Sequence, residues 1–325
     1  MTATVQVTRA LVLGASGHVG NAVVRELLAR GAAVTAARRG RTAAHNLAGL
    51  AVREAIGDAG DAATLDRWIA EHDLVIDAAA PYPLHLAERT AGASSARRAA
   101  LLADAVARRR VRLVHVGSFV TRQPARGPGE LHPYFAAKRA GERVLTAAAR
   151  SGAPITIVHP TACLGPWDSR PDAMCLVPRV LAGWVPAAPA QLINVVDVRD
   201  VARGIAAAAT AGLPAGEPLA LSGHDVGVAE LCALIAELAG TIVATRAIPA
   251  SLAHAGAWAI ELATFGAAMP PVLLPLVLAL RQDPIPVSAA QRALGASPRP
   301  LSATLRDAIA WHRTRGRGTP ARAVV

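Results

Sequence analysis

A chain of 325 residues with 53% hydrophobic content has enough apolar material for a sizeable interior, so it is not disordered. Three cysteines without paired spacing, and a start (MTATVQVTRALVLG) with no basic n-region or cleavage site, argue against a disulfide framework and point to a reducing cytoplasm. The formal charge of +11 comes from scattered arginines among only 3% aromatic residues, and Ala268 to Leu280 is short and broken by Pro270, Pro271 and Pro275, so neither nucleic acid nor an integral membrane span is expected.

Short apolar runs alternate with helical stretches through the first half, the pattern of a parallel sheet covered on both faces. Arg9 to Leu13 reads as a first strand, followed by a helix from Asn21 to Arg30 that Gly31 closes. Further strands are expected at Ala32 to Ala37, Ala51 to Ile56, Leu74 to Ala78, Val111 to Val116 and Ile155 to Val158, with helices at Ala62 to Ala70 and Ala96 to Arg109. Pro133 opens a helix carrying Tyr134 and Lys138, as proline favours a first turn. After Pro160 the chain turns proline-rich, with Trp167 and Trp184 ahead of a strand-like Gln191 to Val196. Val228 to Ala239 and Leu301 to His312 read as helices, and residues 313–325 as a disordered tail.

The expected architecture is α/β: a Rossmann-type doubly wound parallel sheet over residues 1–160, with a smaller interleaved substrate-binding region over 161–312. Segments near 191–240 return to the main core.

The first strand runs into GASGHVG, with glycines at 14, 17 and 20 before an amphipathic helix. Bare backbone turns tightly there and approaches a pyrophosphate, whose charge meets the helix start. At the end of the second strand the sequence is Ala36-Ala37-Arg38-Arg39, with no nearby acid for a ribose hydroxyl. Arginine suits a 2′-phosphate, so NADP(H) is favoured over NAD(H). Asp58 is placed to accept from adenine or, equally, to cap the next helix.

Lys138 is the only lysine in the chain, four positions after Tyr134, one of two tyrosines. Everywhere else arginine supplies the positive charge, so this site needs the compact ammonium that arginine cannot imitate. The spacing puts phenol and ammonium on one helix face, where the cation favours the phenolate and fits the tyrosine for acid-base work.

Taken together, GASGHVG, Gly57-Asp58, Asp77-Ala78-Ala79-Ala80, Val116-Gly117-Ser118, Tyr134-Phe-Ala-Ala-Lys138 and His159-Pro160-Thr161 resemble the extended short-chain dehydrogenase/reductases. Gly165-Pro166-Trp167-Asp168, the Val196 to Ala202 segment, Ala293-Leu294-Gly295 and Pro300-Leu301 extend the likeness to about His312, nearest to a dihydroflavonol reductase, 3β-hydroxysteroid dehydrogenase and epimerase-like branch. The resemblance implies that Tyr134 exchanges a proton with a carbonyl or alcohol oxygen, Lys138 tunes the phenol and holds the nicotinamide ribose, and Ser118 fixes the substrate oxygen. It implies cofactor contacts at Gly14, Ser16, Gly17, His18, Val19, Gly20, Arg38, Arg39, Asp58, Ala78, Ala79, Ala80, Lys138 and Pro160. Thr121 is the reserve for Ser118, and Thr161 and Trp167 are assigned to the substrate side. Tyr82 either stacks near the nicotinamide or walls the substrate site, or equally packs its loop.

One departure stands out. Many relatives carry an asparagine on the helix before the fifth strand, supporting a water chain to the lysine, and Ala91 to Ala105 has none; Ser94 or Ser95 are the stand-ins. His115 and His132 are not read as metal ligands, no zinc-like spacing occurs, and Asp197 and Asp200 are read as anchors of a loop and a helix start.

The leading expectation is an NADP(H)-dependent carbonyl reductase, or the reverse alcohol dehydrogenase, acting on an apolar small molecule, with a homodimer compatible with it. The runner-up is a nucleotide-sugar epimerase or dehydratase with tightly held NAD(P), which would need a basic diphosphate site from Arg170, Arg179, Arg246 or Arg281. A cofactor-binding sensor without turnover would have no use for serine, tyrosine and lysine together.

Overall fold

A computed structural model describes residues 8–40, 45–79, 90–122, 133–211, 213, 216–264 and 283–317. Its centre is a seven-stranded sheet. β1 (Arg9–Leu13), β2 (Ala33–Arg38), β3 (Val52–Ile56), β4 (Leu74–Asp77), β5 (Arg112–Val116) and β6 (Ile155–Pro160) follow the expected runs to within two residues at either end. They lie in the order β3-β2-β1-β4-β5-β6, all parallel. A seventh strand, Leu219–Leu221, pairs in parallel beside β6 and was not foreseen, because three residues are too few to show a period.

The strands read as unbroken apolar runs because both faces are covered. Along β1, Ala10 and Val12 point into one core with Val34, Ile76 and Val114, while Leu11 and Leu13 point into the other with Val75 and Leu113. The first core is covered by helices α1 (His18–Ala29) and α6 (Val198–Ala208). The second lies under α2 (Ala62–Ala70), α3 (Ala91–Arg109) and α4 (Pro133–Arg150). Helix α3 begins five residues before the expected Ala96. Its opening Ala-Gly-Ala-Ser-Ser has no apolar period, but it lies close along α4, where a Cβ on Gly141 would stand 2.7 Å from the Ser95 hydroxyl.

Beyond Pro160 the chain builds a second layer. β9 (Leu192–Asp197) pairs in parallel with β7 (Ala162–Leu164) and antiparallel with β11 (His224–Gly227). This sheet shares a third core with α5 (Leu176–Leu181), α7 (Val228–Ala239) and the C-terminal helix Leu301–Arg317. That helix corrects the expectation of disorder from residue 313: it continues to Arg317, and Arg313 donates to the Ala239 carbonyl at 2.5 Å. Residues 318–325 lie outside the described residues.

Asp197 caps α6 through Arg199 N at 2.8 Å, and Asp200, fully buried, accepts from the backbone and side chain of Arg299, as the anchor reading requires. Asp58 does not cap α2. Asp61 does, accepting from Thr64 N at 2.8 Å, while Asp58 Oδ1 accepts from Gly60 N. Among the described residues no helix is long and apolar enough to cross a membrane.

Candidate active site

Strand order reverses between β1 and β4, so the chain leaves their carboxyl ends in opposite directions and opens a crevice there. The β1 end enters Gly14 at φ +76°, where a Cβ would lie 2.8 Å from the Ala78 carbonyl oxygen. A Cβ on Gly20 would stand 2.1 Å from the Gly14 oxygen, so the helix packs on the turn only without a side chain. Helix α1 starts at His18 behind Gly17 with no side-chain cap and no acid in its first turn. An uncapped helix start offers backbone N–H donors and a positive dipole end, the donor set a dinucleotide pyrophosphate requires.

Residues distant in sequence brace this turn. The Ser16 carbonyl accepts from Asn46 Nδ2 at 2.8 Å and from the Ser169 hydroxyl at 2.9 Å, and His18 Nε2 lies 3.1 Å from the Pro166 carbonyl. The loop carrying Gly165 to Asp168 is thereby docked on the first turn. Trp167 holds a left-handed backbone, φ +68°, with its ring 4.6 Å beneath the Arg25 guanidinium of α1. Asp168 is gripped by Arg170 at both oxygens, at 2.9 and 2.6 Å. Burial opposes its charge, but His18 and Arg170 outweigh that and hold its carboxyl well below the usual range. Asp168, Cys175 and His312 also bring ligand-type atoms within 4.8 Å of one another, a grouping that positions so far apart in sequence did not reveal.

At the end of β2 the sequence expectation needs correcting. An acid is in reach after all: Arg38 Nε donates to Glu54 Oε2 on the neighbouring strand at 2.6 Å, while Arg39 is exposed. Strand pairing, not sequence proximity, supplies that acid.

On the other side of the crevice, β5 delivers Gly117 and Ser118, and the first turn of α4 delivers Tyr134. Both side chains are buried, and the Tyr134 hydroxyl donates to Ser118 Oγ at 3.3 Å. The Thr121 hydroxyl lies 2.8 Å from both the Ser118 carbonyl and Glu142 Oε2. Lys138, one turn along from Tyr134, is partly buried. Burial pushes its ammonium down to about 8, against the pull of Asp77 and Glu142.

Two polar clusters carry the charges that act on Lys138. Asp77, at the end of β4, is held by Arg98 from α3 and by His115 Nδ1 at 2.8 Å. Burial opposes its charge, yet the Arg98 guanidinium and the hydrogen bond from His115 keep its carboxyl well below the usual range. Glu142 accepts from Thr121 and pairs with His159 Nε2 at 2.9 Å. Sequence reasoning noted Asp77, His115 and His159 only as motif or strand positions and missed Arg98 and Glu142. Helical spacing alone could have flagged Glu142, four residues after Lys138.

Thr161 donates to Asn194 Oδ1 at 2.8 Å, joining the β6 exit to β9, and Pro160 closes β6 opposite Leu221. Ala78 and Ala79 line the β4 exit, and Ala79 N donates to Asp77 Oδ1 at 3.2 Å. Ala80, Tyr82, His132, Pro270, Pro271, Pro275 and Arg281 lie outside the described residues.

Known proteins resemble this arrangement along nearly its whole length. A Synechocystis sp. protein named for dihydroflavonol 4-reductase is 26% identical, the match covering 94% of each chain. The sterol demethylase protein B of Methylococcus capsulatus is 29% identical over 94% of this chain and 98% of its own. The crystal structure of a nucleoside-diphosphate-sugar epimerase from Pseudomonas aeruginosa superposes with a TM-score of 0.74 at 27% identity, covering 95% of this chain and 98% of that one. The chain is an extended short-chain dehydrogenase/reductase-type enzyme that uses a nicotinamide dinucleotide. With residues 10–219 matching the family model, a span holding both the glycine turn and the Tyr134–Lys138 pair, it belongs to the NAD dependent epimerase/dehydratase family.

Proposed function

We propose that this enzyme interconverts a ketone or aldehyde and an alcohol on a largely apolar small molecule, using NADP(H), with Tyr134 as general acid and base. The observation that carries the reading is the buried Tyr134–Ser118 hydrogen bond beside Lys138. A carbonyl oxygen entering between the two hydroxyls would accept from both, so Ser118 orients it while Tyr134 delivers or removes the proton. The Lys138 ammonium stabilises the phenolate left behind. The nicotinamide, when bound, supplies or takes up the hydride.

Gly14, Gly17 and Gly20, with the uncapped start of α1, would hold the pyrophosphate, and Ala78, Ala79 and Pro160 would flank the cofactor. The NADP(H) preference rests on two arginines against one glutamate at the β2 end, where exposed Arg39 is suited to a 2′-phosphate. Against the nucleotide-sugar alternative, Arg170 is committed to Asp168 at both oxygens, which leaves it poorly placed to hold a diphosphate.

The test measures NADPH and NADH oxidation against ketones, aldehydes, steroids and nucleotide sugars, alongside fluorescence titration of both cofactors. NADPH-dependent turnover of an apolar carbonyl is expected. Tyr134→Phe should keep cofactor affinity and lose about a hundredfold or more in kcat. Conversion of a nucleotide sugar without net cofactor consumption would establish the epimerase reading instead.

A further inference from the structure

Asp77 is wholly buried, yet neither strand pairing nor the glycine turn requires a charge there. Its side chain is fully engaged. Oδ1 accepts from Arg98 Nη2 and Ala79 N, and Oδ2 accepts from Arg98 Nη1 at 3.2 Å and His115 Nδ1 at 2.8 Å. Three elements thus converge on one carboxylate: β4, its register partner His115 on β5, and α3. Helix α3 packs along α4, with Gly92 facing Ala136 and Ser95 facing Gly141, so the stretch of α3 that leads to Arg98 lies against the stretch of α4 that carries Lys138. A buried ion cluster costs more than an apolar core of equal volume unless something uses its field.

We propose that Asp77, clamped by Arg98 and His115, is a positioning residue for Lys138, its fixed negative charge keeping the ammonium protonated and aimed at the Tyr134 face. The proposal rests on the Tyr134–Lys138 reading of the site. It also fills the place left by the absent asparagine: α3 has none between Ala91 and Arg109, and Ser95 lies against Gly141 of α4.

The groups facing Lys138 make the sign of the effect definite. Asp77 and Glu142 favour its charged form, and Arg98 opposes it. Cys163 contributes no charge near neutral pH, because burial pushes its thiol up to about 12. His115 bonds Asp77 and also acts on Glu142, whose charge is shared with His159 and Thr121. Removing Asp77 therefore leaves two cations confronting one another across a buried site.

Because Lys138 is the only lysine, carbon-13-labelled lysine gives one side-chain resonance in the full-length protein, and its titration needs no assignment. The wild-type midpoint should fall near 8. Asp77→Asn should lower it by about one pH unit or more, Asp77→Glu should return most of that, and Arg98→Gln should raise it. The alkaline limb of kcat, read with whichever carbonyl proves to be a substrate, should move with the resonance while KM holds. If no substrate is turned over, the functional reading fails and the titration still decides this one. A midpoint unchanged or raised in Asp77→Asn overturns the proposal. Should that variant not fold, an unchanged or lowered midpoint in Arg98→Gln overturns it equally.

Discussion

Lys138 has opposite effects on activity and stability, and the difference is measurable. A free lysine titrates at 10.5 and this one at about 8, so the folded protein releases the proton first as pH rises. Activity should fall as pH passes through about 8, because the ammonium that supports the phenolate disappears. The lysine's contribution to stability should rise over the same interval, since between the two midpoints the unfolded chain binds the extra proton. Initial rates and melting curves collected in parallel would show the two trends diverge, and Lys138→Met should remove both pH dependences. The pair with Tyr134 was legible in sequence because four residues along a helix is a local relation. The groups that tune it were not: Asp77 and Arg98 are 21 residues apart and Asp77 and His115 are 38, and only the strand order brings them together. Ser169, bonded to Ser16 across 153 residues, was hidden for the same reason.

At the scale of elements, the alternation of strand and helix was readable because each central strand is buried on both faces and leaves an unbroken apolar run. The glycine turn was equally plain, and its tolerance is narrow. Gly20→Ala would drive a methyl to within 2.1 Å of the Gly14 oxygen, which is backbone and cannot swing aside. Helix α1 must then lift from the turn, and we expect a loss of about 2–3 kcal/mol or more in unfolding free energy, together with loss of cofactor binding by titration. Pairing between elements was less legible. The Arg38–Glu54 contact spans the β2–β3 pair, and it moderates the charge on which the proposed NADP(H) preference rests. Glu54→Gln should remove a neutralising charge from that guanidinium and, on the proposed reading, tighten NADPH by up to about tenfold relative to NADH, read as the ratio of dissociation constants. A ratio unmoved or reversed would mean that Arg38 does not face the 2′ position.

For the molecule as a whole, the question is how a second layer made of separate chain segments stays registered on the sheet that carries the chemistry. Its composition marked it as distinct, since proline and tryptophan thicken after Pro160, but not where it was fastened. The fastening is polar and buried. Gln291 exchanges hydrogen bonds with Ser222 in both directions, and Asp200 receives Arg299 through its backbone N–H at 2.8 Å, Nε at 3.0 Å and Nη2 at 2.8 Å, as well as Arg203. Asp200→Asn therefore leaves Arg203 beside an amide that cannot neutralise it and Arg299 relying on its 3.4 Å contact with Asp197, and breaking a buried pair in this way costs up to about 3–5 kcal/mol. The loss should be local before it is global. Leu301–Arg317 begins one residue beyond Arg299, after Pro300, and shares its core with α5 and α7, so amide exchange should quicken in those three helices together. Strands β1 and β4 pack in the two sheet cores and should keep their protection, so NADPH should still bind while turnover, which on the proposed reading draws on both layers, falls. Exchange that accelerates evenly through β1 and β4 as well would show instead that the two layers unfold as one unit, with Asp200 a support of the whole fold.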